Sequence, residues 1–146
     1  MKVYIRNRQR RIDIDYRRIE RKAAEVLKLL GKEDASLSIL IVGDYGMRKL
    51  NKEFRGISKT TDVLSFDVSI PGIPSNILGD VVINAAMAER EANKRGTNLY
   101  EEMEHLLIHG VLHILGYDHN EPEEAKKMEN REKEIMDALK KMDKEC

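Results

Sequence analysis

The sequence predicts a single α+β domain over residues 1–146, close to the α/β class, in which a small four-stranded mixed sheet packs with about five helices. Three observations predict it. Short β-branched runs alternate along the chain with stretches of helical periodicity. A length of 146 residues suits one core, and no internal repeat is visible. One helix, residues 98–115, is apolar nearly all round (Leu106, Leu107, Ile108, Val111, Leu112, Ile114, Leu115), as a helix at the centre of such a core must be.

Residues 3–7 read as the first strand. Residues 16–30 read as a helix whose Ile19, Ala23, Val26, Leu27 and Leu30 recur at helical spacing before Gly31 stops it. Residues 37–42 form a β-branched run suited to a buried strand, Gly43 and Asp44 open a turn, and residues 47–54 make a short helix that Arg55-Gly56 closes. Residues 60–68 give a third strand, the proline-rich stretch 71–74 a turn, and residues 78–83 a fourth strand. Asn84 is placed to cap a helix running to about Arg95, Gly96 to end it, and Asn98 to start the apolar helix that runs through Leu115. Residues 123–142 make a final, strongly charged helix. An antiparallel edge strand beside the apolar helix, residues 64–69 or 78–83, would give an extended substrate something to lie along.

Formal charge sums to zero but is unevenly spread, because residues 1–22 hold nine Lys or Arg against three acids. Such a segment is either a solvated basic face or an electrostatic footprint for nucleic acid. No apolar run is long enough to span a membrane, and the first residues lack the apolar stretch of a secretory signal, so a cytoplasmic protein with no membrane partner is expected. The only cysteine is Cys146, which leaves no disulfide partner within the chain and no cysteine-ligated metal cluster.

The most specific pattern is carried by the apolar helix and the turn after it. His109 and His113 are four apart, so on a helix they share one face with Cβ atoms roughly 6 Å apart. Gly116 can take the left-handed conformation that ends a helix, which lets the chain swing back and deliver His119. These positions satisfy the long zinc-hydrolase signature H-E-x-x-H-x-x-G-x-x-H except that Gly110 stands where the glutamate belongs. Burying several imidazoles without partners would cost on the order of 1 to 3 kcal/mol each, a cost that a shared metal ion removes. Three protein ligands leave one coordination position open, as in a catalytic rather than a structural zinc site. Imidazole favours zinc, while nickel, cobalt or iron can take the same nitrogens. His105 lies on the same face about 6 Å further up the axis, which suits a supporting or core role better than a fourth ligand.

Four blocks together resemble the YbeY family of bacterial rRNA maturation factors, also described as single-strand-specific endoribonucleases. Leu50-Asn51-Lys52-Glu53-Phe54-Arg55-Gly56 is similar to the family's L-N-x-x-[YF]-R block, and Thr61-Asp62-Val63-Leu64-Ser65-Phe66 to its T-D-V-L-S-F block. Leu78-Gly79-Asp80-Val81-Val82-Ile83 resembles its L-G-D-[IV]-x-I strand, and residues 105–119 match its H-x-x-x-H-G-x-L-H-x-x-G-Y-D-H ending. Gly110 is normal for that family. The resemblance implies a fold and metal site like those of the zinc proteases, one zinc ion on His109, His113 and His119, and Arg55 as the essential arginine. It implies single-stranded RNA as substrate, rRNA near the 3′ end of the small-subunit (16S) RNA in particular, with ribosomal partners and a part in ribosome quality control.

Chemistry is consistent with that implication. A metal lowers the pKa of bound water toward about 7 without a dedicated base. A guanidinium offers a permanently charged fork to the nonbridging oxygens of a phosphodiester, a role that suits Arg55 better than the alternative of a helix-ending cation. Peptide hydrolysis instead needs a proton delivered to the leaving amine, the task of the glutamate that Gly110 replaces. Asp62 and Asp80 read equally as site residues or as carboxylates bonded to nearby backbone, and Asp118 is placed to orient a ligand imidazole. Two other functions compete: a ribosome-associated RNA-binding factor with a structural zinc, and an atypical zinc peptidase in which a carboxylate such as Asp62 reaches the site.

Overall fold

The computed structural model describes residues 2–67 and 77–145. In chain order the elements are β1 (Lys2–Asn7), α1 (Tyr16–Leu29), β2 (Ser36–Val42), α2 (Asp44–Arg55), β3 (Val63–Asp67), β4 (Ile77–Asn84), α3 (Ala85–Arg95), α4 (Leu99–Ile114) and α5 (Pro122–Glu145). The turn expected at 71–74, the end of the third strand beyond residue 67, and Cys146 lie outside the described residues.

The four strands form one sheet in the order β1-β2-β4-β3, parallel from β1 through β4, with β3 antiparallel to β4. This is the small mixed sheet the sequence predicts. Of the two strands expected at an edge, β3 is the edge strand, and it packs beside α4. β4 is central, and its alternating residues serve both faces. Val81 and Ile83 join the main core with Ile39, Leu107, Ile108, Val111 and Leu112, whereas Val82 packs with Val42, Met47 and Leu64 in a smaller core under α2. Helices α1, α3, α4 and α5 supply the large cluster, α2 alone the small one.

Element ends follow local chemistry. α2 starts at Asp44 rather than at residue 47, with Gly43 as its N-cap, so the expected Gly43-Asp44 turn is already the first step of the helix. β3 starts three residues later than predicted because Thr60, Thr61 and Asp62 are held in a side-chain network. At its hub, the Asn84 side chain caps α3 through Met87 N at 3.1 Å and donates to Asp44 Oδ1 and Thr60 Oγ1, both at 2.9 Å. Asn98 caps α4 by accepting from Glu101 N at 2.9 Å, as its position predicts.

An ionic cluster around the buried Lys22 ties α1 to α5, with Lys22 bonded to Asp143 and 3.2 Å from Glu25. Burial works to lower the Lys22 pKa, but these two carboxylates outweigh it and raise it. Burial pushes the pKa of neighbouring Glu104 up, and its Oε1 has no hydrogen-bond partner among the described residues.

Candidate metal centre

The C-terminal end of α4 builds the site. His109 and His113 stand one turn apart, and the helix then stops in a Schellman motif: Gly116 N–H donates to His113 O and Tyr117 N–H to Leu112 O, both at 3.0 Å, with Gly116 at φ +100°. A residue with a Cβ is strained at that φ, so the glycine sets the reversal that returns His119 to the helix face. The three rings gather with centroids 4.9, 5.1 and 5.9 Å apart. One nitrogen from each lies within 4.8 Å of the others, so His109, His113 and His119 could hold a metal ion. Nitrogens on one tetrahedral zinc lie about 3.4 Å apart, which small side-chain rotations would reach. His109 and His113 are half-buried and His119 is exposed, leaving an open side for water or substrate.

Burial lowers the His113 pKa first of all, then the neighbouring His109 and His119; Asp118 opposes them, and Arg55 adds the smallest lowering influence. A metal ligand must offer a neutral imidazole nitrogen, and this environment favours that form.

Behind the ring trio stands Glu132 of α5, a residue that the sequence motifs do not single out. Its Oε1 lies 2.6 Å from His109 Nδ1 and its Oε2 3.1 Å from His105 Nε2. Burial would raise its pKa, but the bonds to His105 and His109 outweigh that and bring it to about 2. An ionised carboxylate only accepts, so His109 carries its proton on Nδ1 and presents Nε2 as the free lone pair. The same carboxylate raises the His105 pKa, and His105 stands outside the ligand trio. A sequence signal for Glu132 exists: it interrupts the buried stripe of Met128, Ile135 and Leu139, where a lone acid needs a partner.

Gly110 has a structural cause. A Cβ there would lie 2.8 Å from Val81 Cγ1 and 3.2 Å from Val81 Cγ2. Position 110 therefore faces the sheet rather than the histidine cavity, and the close approach of α4 to β4 excludes a glutamate.

The other predicted residues are divided between two places. Arg55 ends α2, is exposed, and makes no hydrogen bond or ion pair among the described residues, yet its charge is felt at His113. Asp62 joins His105, His109, His119 and Glu132 in lining a cavity of about 620 Å³, while one of its oxygens accepts from Val63 N at 2.8 Å. Asp118 does not bond a ligand ring: it accepts from His119 N and from the Asn120 side chain, both at 2.7 Å, because both its oxygens are used to shape the loop. The ring-orienting carboxylate is Glu132 instead. Asp80 sits on the other face of the sheet, away from the histidines, in register with Ser38 and Phe66.

Among the described residues, no helix is long and apolar enough to cross a membrane. The family model described as "Endoribonuclease YbeY" matches residues 4–140. A Geobacter sulfurreducens protein named Endoribonuclease YbeY is 41% identical over 144 residues, covering 95% of this chain and 96% of its own. The protein of that name from Aquifex aeolicus is 40% identical over 141 residues, covering 96% and 93%. The solution structure of TM1509 from Thermotoga maritima superposes with a TM-score of 0.66 at 23% identity over 92% of this chain and 86% of that one, a likeness of fold. With the ring trio, its turn glycine and the four sequence blocks in one architecture, the chain belongs to the YbeY endoribonuclease family.

Proposed function

We propose that this protein is a cytoplasmic, zinc-dependent endoribonuclease that cleaves single-stranded RNA, acting on ribosomal RNA during maturation of the small-subunit 3′ end and in ribosome quality control. The observation that carries the reading is a three-imidazole set whose protease-type glutamate is sterically excluded, together with Arg55, a guanidinium unpaired among the described residues at the end of α2. Membership of a family of endoribonucleases supports it.

His109, His113 and His119 would hold the ion. When bound, it supplies an activated water at neutral pH and Lewis acidity toward a phosphoryl oxygen. Glu132 holds the His109 proton on Nδ1, so the ring needs no tautomer change to bind. Arg55 is free to turn its fork to the nonbridging oxygens, where negative charge grows as the phosphodiester is attacked. Asp62 lines the cavity beside these groups and holds the start of β3, the edge along which an extended strand can lie.

The test is a single-stranded RNA cleavage assay paired with elemental analysis of tag-free protein. Arg55→Ala should keep its metal and fold but lose about 10² to 10³ in cleavage rate, with Arg55→Lys recovering only part. His113→Ala should lose the metal. Wild-type cleavage by metal-replete Arg55→Ala would remove Arg55 from the catalytic machinery and leave it a helix-ending cation. A metal-bound wild type that binds ribosomal RNA without cutting it would make the protein a binding factor, and cleavage of a peptide library would make it a peptidase.

A further inference from the structure

The face of the sheet opposite the histidines carries a second cavity, of about 830 Å³. Its floor follows from strand register: Tyr4 of β1, Ser38 of β2, Asp80 of β4 and Phe66 of β3 form one continuous cross-strand row. Three strand spacings put the two ends of that row about 14 Å apart. α2 packs on β2 and β4, leaving Tyr4 56% exposed at the β1 end. Phe54 of α2 stands over the other end, 60% exposed, with its ring centroid 5.2 Å from that of Phe66. Arg6 and Arg8 stand on the rim, with Tyr16 and Glu20 of α1 beyond the β1 edge.

This combination fits a single-stranded nucleic acid. Exposed rings on a sheet face are stacking platforms for unpaired bases, which every base can use through its π-face. Asp80 and Ser38 lie between the rings, where a carboxylate can accept from an exocyclic amino group. The rim belongs to the strongly basic first 22 residues, whereas the remainder of the chain is net acidic. The metal cavity shows the opposite bias: Asp62, Glu91, Glu102, Glu129 and Glu132 line it, and Arg95, its one Lys or Arg, is paired to Glu91. That acidic lining disfavours a run of flanking phosphates along the cavity, and an ion on the three histidines would offset it only for the phosphate being cleaved. The groove, by contrast, ends at Phe54, the neighbour of Arg55 at the C-terminal end of α2.

We propose that this groove binds the stretch of single-stranded RNA adjoining the cleaved bond, stacking bases on Tyr4 and Phe54, holding phosphates with Arg6 and Arg8, and passing the strand by Arg55 to the metal centre. The proposal rests on the nuclease reading and adds to it where the substrate lies.

The test measures anisotropy of a labelled single-stranded RNA of about 12 nucleotides, with chelator present to stop cleavage, and steady-state cleavage by the metal-loaded protein. Tyr4→Ala should weaken binding about 5- to 100-fold and raise KM with kcat unchanged. Tyr4→Trp should restore both, and Tyr4→Leu, apolar but unable to stack, should not. Replacing Arg6 and Arg8 by Gln should reduce the slope of log affinity against log salt by about 0.7 for each phosphate left without its arginine. Tyr4 is more than half exposed, so these variants should melt with the wild type. Unchanged affinity and salt slope in a protein that still cleaves RNA would overturn the groove alone. Tyr4→Leu binding as well as wild type would do the same and mark the face as a protein-docking surface. A loaded wild type that neither binds nor cleaves RNA would remove the nuclease reading and the groove with it.

Discussion

The two faces of the sheet differ in how tightly they are specified. Four helices seal the histidine face, with Leu107, Ile108, Val111 and Leu112 of α4 fully buried against Val81 and Ile83. The other face has one helix, a small cluster around Met47, Leu64 and Val82, and aromatic rings left in solvent. A ligand set for one ion must be held to fractions of an ångström, and only a close-packed support does that. A surface that stacks on any passing base needs exposed rings more than rigidity. The histidine trio sits on the rigid face and the exposed rings on the open one.

The largest expected effect tests that rigidity. Gly110→Glu would drive a side chain into Val81 and bury a carboxylate with no partner, so it should cost more than about 4 kcal/mol and abolish cooperative folding. Gly110→Ala isolates the steric part, about 1 to 3 kcal/mol of overpacking offset by about 1 of helix propensity. Adding Val81→Ala should recover part of that loss as a positive coupling in urea melts. Tyr4→Ala, on the open face, should stay within about 0.5 kcal/mol of wild type. Equal tolerance at the two positions would erase the distinction between the faces.

What was legible in the sequence divides along the same line. Local signals are borne out: Asn84 and Asn98 cap the helices they precede, Gly116 turns the chain after α4, and His109, His113 and His119 converge. Each depends on a few neighbouring residues. The placement of β4 between β2 and β3 depends on crossovers that no local pattern encodes, so 64–69 and 78–83 are equivalent as edge strands until the topology separates them. Asp80 shows the same limit, since a strand residue's face is fixed only once register is known. Glu132 is hidden among the many acids of α5. Its role arises only when α5 docks on α4, although its place within the stripe of Met128, Ile135 and Leu139 is readable from spacing alone.

Glu132 therefore gives the second prediction, intermediate in size. Glu132→Gln keeps the shape but leaves an amide that can accept on only one atom, so it cannot serve both imidazoles as an ionised carboxylate does. Metal affinity by chelator competition should fall about 10- to 100-fold, while the metal-free protein keeps its fold. Resonances of the His109 ring nitrogens should show the Nδ1-protonated tautomer in wild type and a mixture in the variant. Unchanged affinity and tautomer would show that the packing of α4 alone orients the ring.

The smallest effect concerns the seam that joins the faces. Asp44, at the start of α2, receives a two-pronged ion pair from Arg90 of α3, at 2.7 and 2.9 Å, and a bond from Asn84 at the end of β4. Arg90 above all, then Asn84 and Thr60, outweigh the opposing effect of burial and hold the Asp44 carboxyl well below the usual carboxylate range. A depressed carboxylate stabilises the fold above its unfolded pKa, and that contribution fades as pH falls below the ordinary 3.8 toward the folded value. The side chains of Asp44 and Arg90 are 41% and 53% exposed, so solvent screening limits the pair to about 1 kcal/mol or less. Arg90→Gln should thus lower stability slightly at pH 7, and the gap from wild type should narrow as the pH of the melt falls below about 4. Salt should narrow it too. A gap independent of pH and salt would mean that Arg90 acts through packing alone, and that Asn84, the buried hub, is what locks α2 to the rigid face.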